Sequence, residues 1–337
     1  MVRSRDSAAE RSADDAGPSG SKSAASYSSL IKLLPRDALL RPHGSIWAWQ
    51  PSALRVPPSD HMLGACGFGG SVWAPKLPRN SPNLLLLLHG LGDTPDPFAA
   101  FASKLALPQT SALSLRGPLA LPLDDLPGRM WHESFDVEGT LMTGEAARRG
   151  RVEGVRARSL GYATRRRLYA LLQVLESGCG WPRERIFLFG YAQGGTAVLD
   201  LLSHIEEDHS GGGSRRLGGV ISWCGLPLAE TLFDAIAAST SAAAAAETPL
   251  LVTAGGAANA EPPPTETRRL YDGLTSIWRR QAEPPEPPLQ SLHLLDGHKG
   301  DAMVGSPADA RLLMEFFSRH LALDSALADD PDVVRVS

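Results

Sequence analysis

Asn83-Leu84-Leu85-Leu86-Leu87-Leu88-His89-Gly90 is the segment that most restricts the fold. Five consecutive leucines ended by glycine show no polar alternation, so both faces of the segment must be covered. That pattern fits a strand in a parallel sheet with helices above and below it. Further apolar runs follow at Ala112–Leu115, Arg185–Phe189, Gly219–Trp223, Pro249–Thr253 and Leu289–Leu295. Shorter strands are expected at Ser45–Trp49 and Gly70–Trp73. Helical patterning lies between the runs. Tyr162–Ser177 places Leu168, Leu171, Leu172 and Leu175 on one stripe, Thr196–Ile205 is similar, and Ser306–Leu321 opens with a serine cap, Pro307 and Asp309. Alternating strands and helices predict an α/β domain with a mostly parallel central sheet and helices on both faces.

The chain has 337 residues, which one such domain with tails accommodates. The reading is a disordered tail over residues 1–29, a single domain over 30–323 and a loose acidic tail over 324–337. Ala235–Glu247, Glu261–Thr265, Glu283–Pro288 and Gly211–Gly213 are low in complexity and are expected to be loop expansions or padded helices at the surface. A formal charge of −4 gives no global attraction to nucleic acid or an anionic membrane, and no nucleic-acid module is visible. No apolar run approaches the ~20 residues of a transmembrane helix. The N-terminus lacks the apolar centre of a secretory signal, and three scattered cysteines suit a reducing compartment, so a cytoplasmic location is expected. No metal site or cofactor fingerprint is present, so none is expected.

The chemistry concentrates at Phe187-Leu188-Phe189-Gly190-Tyr191-Ala192-Gln193-Gly194-Gly195-Thr196. A strand enters a Gly-x-x-x-Gly turn and leaves as a helix, the layout of a nucleophile elbow. The turn presents its central side chain above the sheet, and the helix start supplies backbone N–H groups. Here the central residue is Ala192, which has no nucleophilic atom.

Gly190-Tyr191-Ala192-Gln193-Gly194-Gly195 resembles the Gly-Phe-Ser-Gln-Gly-Gly elbow of the phospholipase/carboxylesterase family of α/β-hydrolases, which includes acyl-protein thioesterases and lysophospholipases. His89-Gly90-Leu91-Gly92-Asp93-Thr94 matches the family's second hallmark. Trp181-Pro182-Arg183-Glu184-Arg185-Ile186 resembles the lead-in to the elbow strand. Gly128-Arg129-Met130-Trp131 with Phe135-Asp136 is similar to the segment before the substrate-covering loop, and the likeness runs from about Leu84 to about Leu321.

The resemblance implies an ester or thioester hydrolase that acts through an acyl-enzyme. Its oxyanion hole would be the backbone N–H groups of Leu91 and Gln193, framed by His89, Gly90, Gly92, Asp93, Gly190 and Gly194. His298 stands where the family has its general base. The orienting acid falls on Ala258; Glu261 is a candidate replacement, and Glu230 or Asp234 is a remoter alternative. With the serine and acid positions both reading alanine, the expected activity is weak or absent. The alternative is a non-catalytic pseudo-hydrolase that binds acyl chains, a lipid or a protein partner. Cys224 ends a core strand and reads as a small buried hydrophobe before it reads as a nucleophile. Arg148, Arg149, Arg151, Arg156, Arg158 and Arg165–Arg167 form a basic stretch, either a solvated helix face or a surface for an anionic headgroup or acidic partner.

Overall fold

The computed structural model describes residues 55–122, 126–136, 138–142, 153–205, 216–228, 242–279, 289–298 and 302–323. All of them fall in one compact unit, Trp47–Ser337. The strand expected at Ser45–Trp49, both tails, Gly211–Gly213, Glu283–Pro288, Arg148, Arg149, Arg151, Glu230 and Asp234 lie outside the described residues.

The leucine run forms β2 (Asn83–Leu88), buried along its whole length. Around it lie β1 (Val72–Trp73), β3 (Thr110–Leu115), β6 (Ile186–Tyr191), β7 (Gly219–Trp223), β8 (Leu250–Gly255) and β9 (Gln290–Leu295), in the order β1-β3-β2-β6-β7-β8-β9. Only β1 runs antiparallel to its neighbour. The register sets Leu84 opposite Ile186 and Leu88 opposite Gly190, so β2 and β6 end level at the carboxyl edge of the sheet. β4 (Leu119–Ala120) and β5 (Arg129–Met130) form a separate antiparallel pair.

Strand period two divides the core between the two faces. Leu84, Leu86, Leu88, Ile186, Leu188, Val220 and Val252 join one apolar cluster, while Leu85, Leu87, Phe187, Phe189, Ile221 and Leu251 join the other. The first face is covered by α1 (Asp60–Ala65), the run Glu153–Ser177, α5 (Gln193–Ser203), α6 (Ala242–Glu247) and α7 (Pro264–Arg279); the second is covered by α2 (Pro95–Leu105) and α8 (Pro307–His320). A sheet covered on both sides is what a non-alternating leucine strand requires.

The run Glu153–Ser177 consists of α3 (Glu153–Ser159), a π-helical turn over Leu160–Arg165 and α4 (Arg166–Ser177). Its leucine stripe, Leu168, Leu171, Leu172 and Leu175, is buried. α8 starts as its sequence indicates: Ser306 Oγ accepts from Asp309 N–H at 3.1 Å and Asp309 Oδ2 accepts from Ser306 N–H at 3.0 Å. Several helices depart from the sequence reading. α1, α2 and α3 were not anticipated, α6 within Ala235–Glu247 buries Ala244, Ala245 and Ala246 instead of lying at the surface, and Glu261–Thr265 leads into the sixteen-residue α7. Leu270, Tyr271, Leu274, Ile277 and Trp278 make a stripe at helical spacing and are buried, so the α7 signal lay just beyond the proline-rich lead-in.

Burial at β6 gives a direct stability test. Leu188 is 1% exposed between β2 and β7, whereas Met314 on α8 is 42% exposed. Leu188→Ala is expected to cost about 2–5 kcal/mol in a denaturant titration, and Met314→Ala roughly 0.5 kcal/mol or less. Equal losses at the two positions would contradict the described packing.

Candidate functional site

β6 ends at Tyr191, and α5 begins at Gln193, three residues earlier than its apolar stripe alone suggests. Ala192, between them, holds φ 47° and ψ −112°. A left-handed φ costs an L-residue roughly 1–2 kcal/mol, so the neighbours must impose it. Ala192 N–H donates to Trp223 O at 2.9 Å, and Ala192 O accepts from Thr196 N–H at 3.1 Å. Two glycines let the turn close. A methyl on Gly190 would overlap the Gly194 carbonyl, and a methyl on Gly194 would overlap the Leu88 and His89 carbonyls. The elbow is therefore built as for a nucleophile, with a half-exposed methyl group at its tip.

The loop after β2 is held from both sides. Asp93 Oδ2 accepts from Gly90 N–H at 3.2 Å and closes a turn around Leu91. Gly92 N–H donates to Arg129 O at 2.9 Å, and Arg129 N–H donates to Asp93 O at 3.0 Å, fastening the loop to β5. Leu91 and Gln193 thus follow the carboxyl ends of two adjacent parallel strands. Gln193 is the first residue of α5, where backbone N–H groups have no intrahelical acceptor.

His89 is fully buried, and both ring nitrogens are engaged. Nδ1 donates to Gly90 O at 2.7 Å, and Nε2 accepts from Gly117 N–H at 3.0 Å. Burial holds its pKa below the usual histidine value, and Arg129 and Arg116 push the same way. The ring joins the β2 loop to the segment after β3 and has no free lone pair for base chemistry.

Gln193 does more than carry a backbone N–H. Its Oε1 accepts from Trp131 N–H at 2.7 Å, and its Nε2 donates to His132 O at 3.1 Å and Ser134 Oγ at 2.6 Å. Trp131 Nε1 in turn donates to His89 O at 2.8 Å. Behind this segment, Thr164 Oγ1 in the π-helical turn donates to Trp131 O, and Ser159 Oγ accepts from Glu133 N–H at 2.8 Å. Arg165, from the same turn, pairs with the buried Asp200 of α5 at 3.1 Å. π-turns often mark functional regions, and this one braces the wall of the site.

His298 follows β9, with its carbonyl accepting from Ala257 N–H at 3.0 Å. The loop that carries Ala258 therefore does lie against His298. Ala258 itself is exposed and has no acidic group, and Glu261 is exposed. The carboxylate that meets His298 is that of Asp309, with Oδ2 3.5 Å from Nε2. Burial raises the Asp309 pKa, but hydrogen bonds from Gly305 and Ser306 and the His298 charge outweigh it and leave the carboxyl below its usual range. With Nε2 facing Asp309, Nδ1 of His298 is buried and has no partner among the described residues. In the sequence Asp309 shows only as the cap of α8, because the contact with His298 depends on the folded loop.

Cys224 follows β7 directly with φ 56°, its Sγ 3.5 Å from Ala302 O, and it is half-buried, where a buried strand-end residue was expected. The basic stretch disperses: Arg165 pairs with Asp200, Arg166 stacks on Tyr162 at 4.6 Å, and Arg167 lies against Gly67. No group of acids, cysteines and histidines suited to a metal occurs among the described residues. No described helix is long and apolar enough to cross a membrane.

His132 links this wall to stability. Burial pushes its pKa down from 6.5 to about 4. The unfolded chain takes up the proton near 6.5 and the folded chain only near 4, so stability is complete above pH 6.5 and falls as pH drops between these values. The loss by pH 4 is expected to reach about 3 kcal/mol. Denaturant titrations across this range should show the slope in the parent and a flatter profile in His132→Asn. An unchanged slope in the variant would assign the effect to another group.

Comparison with known proteins places this geometry. The family described as Phospholipase/Carboxylesterase matches residues 71–253, more than half of the chain. An uncharacterized hydrolase of Mycosarcoma maydis is 32% identical over 157 residues, covering 46% of this chain and 53% of its own. An uncharacterized hydrolase of Schizosaccharomyces pombe is 34% identical over 158 residues, covering 44% and 56%. The chain thus spans about half the length of the curated relatives it matches. Among solved structures, esterase PE8 superposes with a TM-score of 0.55 at 18% identity, covering 74% of this chain and 98% of its own. Acyl-protein thioesterase 2 of Zea mays superposes at 0.50 and 16% identity, covering 75% and 99%. These two likenesses speak to the fold. The family match establishes that the chain belongs to the Phospholipase/Carboxylesterase family, and the fold is that of α/β-hydrolases.

Proposed function

We propose that the chain binds carboxylic esters or thioesters at the carboxyl edge of the sheet and hydrolyses them weakly or not at all. The observation that carries this reading is Ala192, held at φ 47° and ψ −112° at the head of a buried helix, where the fold presents a nucleophile. The N–H groups of Leu91 and Gln193 are the assigned oxyanion donors. Such donors are each worth about 3–4 kcal/mol when aimed at the charge of a transition state.

His298 is assigned as the base and Asp309 as the acid that orients it. Asp309 Oδ2 lies 3.5 Å from Nε2 of His298, close enough to orient the ring electrostatically. This assignment replaces Glu261, whose exposed position gives it no contact of this kind. Without a hydroxyl at residue 192 the base has nothing to activate. Loss of the serine from a triad costs on the order of 10⁶ in turnover, while oxyanion donors and binding alone retain about 10³–10⁴ over water. Binding without turnover is therefore the alternative within the same site.

Hydrolysis of acyl p-nitrophenyl esters and acyl thioesters by the parent and by Ala192→Ser tests the assignment. The variant is expected to exceed the parent by about 10³-fold or more in kcat/KM. Adding Asp309→Asn to it should lower kcat, with KM little changed. A parent as active as Ala192→Ser would overturn the reading, as would a folded variant with no gain.

A further inference from the structure

A cavity of about 340 Å³ lies between α8 and β9, the last strand in the sheet order among the described residues. Period two sends Leu289, Ser291 and His293 to one side of β9, and the register sets Ser291 beside Leu251 of β8. Helical spacing brings Leu312, Glu315, Phe316, Arg319 and His320 to one side of α8, where they line the same space. Asp309, which meets His298, stands at the other end of this helix. About 16 Å of α8 therefore separates that contact from His320.

The lining divides into two chemical halves. Leu251, Leu289, Leu312 and Phe316 supply an apolar surface, while His293, Arg319 and His320 bring N–H donors. The rings of Phe316 and His320, with centroids 4.8 Å apart and tilted by 56°, form an aromatic corner between the halves. Neither histidine ring has a hydrogen-bond partner among the described residues. Burial, with the charges of Arg216 and Arg319, holds the His320 pKa below the usual histidine value, so its ring is a neutral donor at neutral pH.

The charge comes from Arg319. Its Nη2 is 3.4 Å from Glu315 Oε2, but the two side chains are 70% and 50% exposed, so the pair is weak and leaves other guanidinium N–H groups to a ligand. A guanidinium offers a carboxylate two parallel N–H bonds. A rigid ring suits the aromatic corner better than a chain, because it has less freedom to lose on binding.

We propose that this cavity is a second ligand site, which takes an aromatic monocarboxylate with its ring against Phe316 and His320 and its carboxylate on Arg319. The site shares no residue with the elbow and stands whether or not the acyl-ester reading does.

Titration of the isotope-labelled chain with naphthoate, followed through its amide shifts, tests the site. Shifts are expected at Ser291, His293, Arg319 and His320, and none at Leu91 or Gln193. Naphthoate is expected to bind at least about fivefold more tightly than neutral naphthylmethanol at low salt. Arg319→Gln should reduce that preference to about twofold or less, whereas Glu315→Gln, which removes the competing acid, should tighten naphthoate binding by about twofold or more. Both positions are exposed, so both variants are expected to fold. Linear octanoate should bind more weakly than naphthoate. Shifts centred on the elbow, equal binding of acid and alcohol, weaker binding in Glu315→Gln, or octanoate binding as tightly as naphthoate would each overturn the proposal. Inactivity of Ala192→Ser toward esters would leave it untouched.

Discussion

The left-handed turn at Ala192 is the constraint on which the site depends. Alanine gains nothing from that conformation, which an unrestrained L-residue avoids. It is fixed by packing: β6 is buried in mid-sheet, α5 is buried over its whole length, and Gly190 and Gly194 allow no looser approach. The cost of the turn, roughly 1–2 kcal/mol, is small beside the burial of two such elements. The elbow therefore keeps its shape whatever side chain stands at its tip. A site can lose its reacting atom in this way and retain its architecture.

The wall is built outward from the same point. Gln193 binds the 131–134 segment, Trp131 returns a hydrogen bond to His89 O, and the π-helical turn caps Trp131 O from behind. These groups are buried, and a buried polar group left unpaired costs about 1–3 kcal/mol, so each fixes the next. Asp200 pulls the π-helical turn onto the elbow helix through Arg165. The helical irregularity, the elbow and the loop carrying Leu91 thus form one connected frame.

Much of this was legible in the sequence because it follows from period and punctuation. The leucine run dictated a doubly covered strand, the glycine spacing dictated the elbow, and Ser306 with Asp309 dictated a helix start. Family likeness pointed to His298, which follows β9, and to the Ala258 loop, whose Ala257 N–H meets the His298 carbonyl. The contacts that depend on distant segments meeting were not legible. Asp309 is consumed locally as a cap, and only the folded loop brings its second face to His298. Gln193 reads as a helix-start residue, with nothing local to indicate the 131–134 segment. The conspicuous arginine stretch separates, among the described residues, into unrelated contacts made by Arg165, Arg166 and Arg167. α7 was obscured by prolines that mark its beginning and not its absence.

We propose that an ester-binding site survives around Ala192, which carries no nucleophilic atom. A crystal structure of the unmodified chain soaked with a long-chain acyl thioester tests it most directly, since nothing at residue 192 can consume the ligand. The thioester carbonyl oxygen is expected at about 3 Å from both Leu91 N and Gln193 N, with its carbon above the Ala192 methyl. A thioester bound elsewhere, or an elbow closed against it by neighbouring side chains, would rule out an ester site at the elbow.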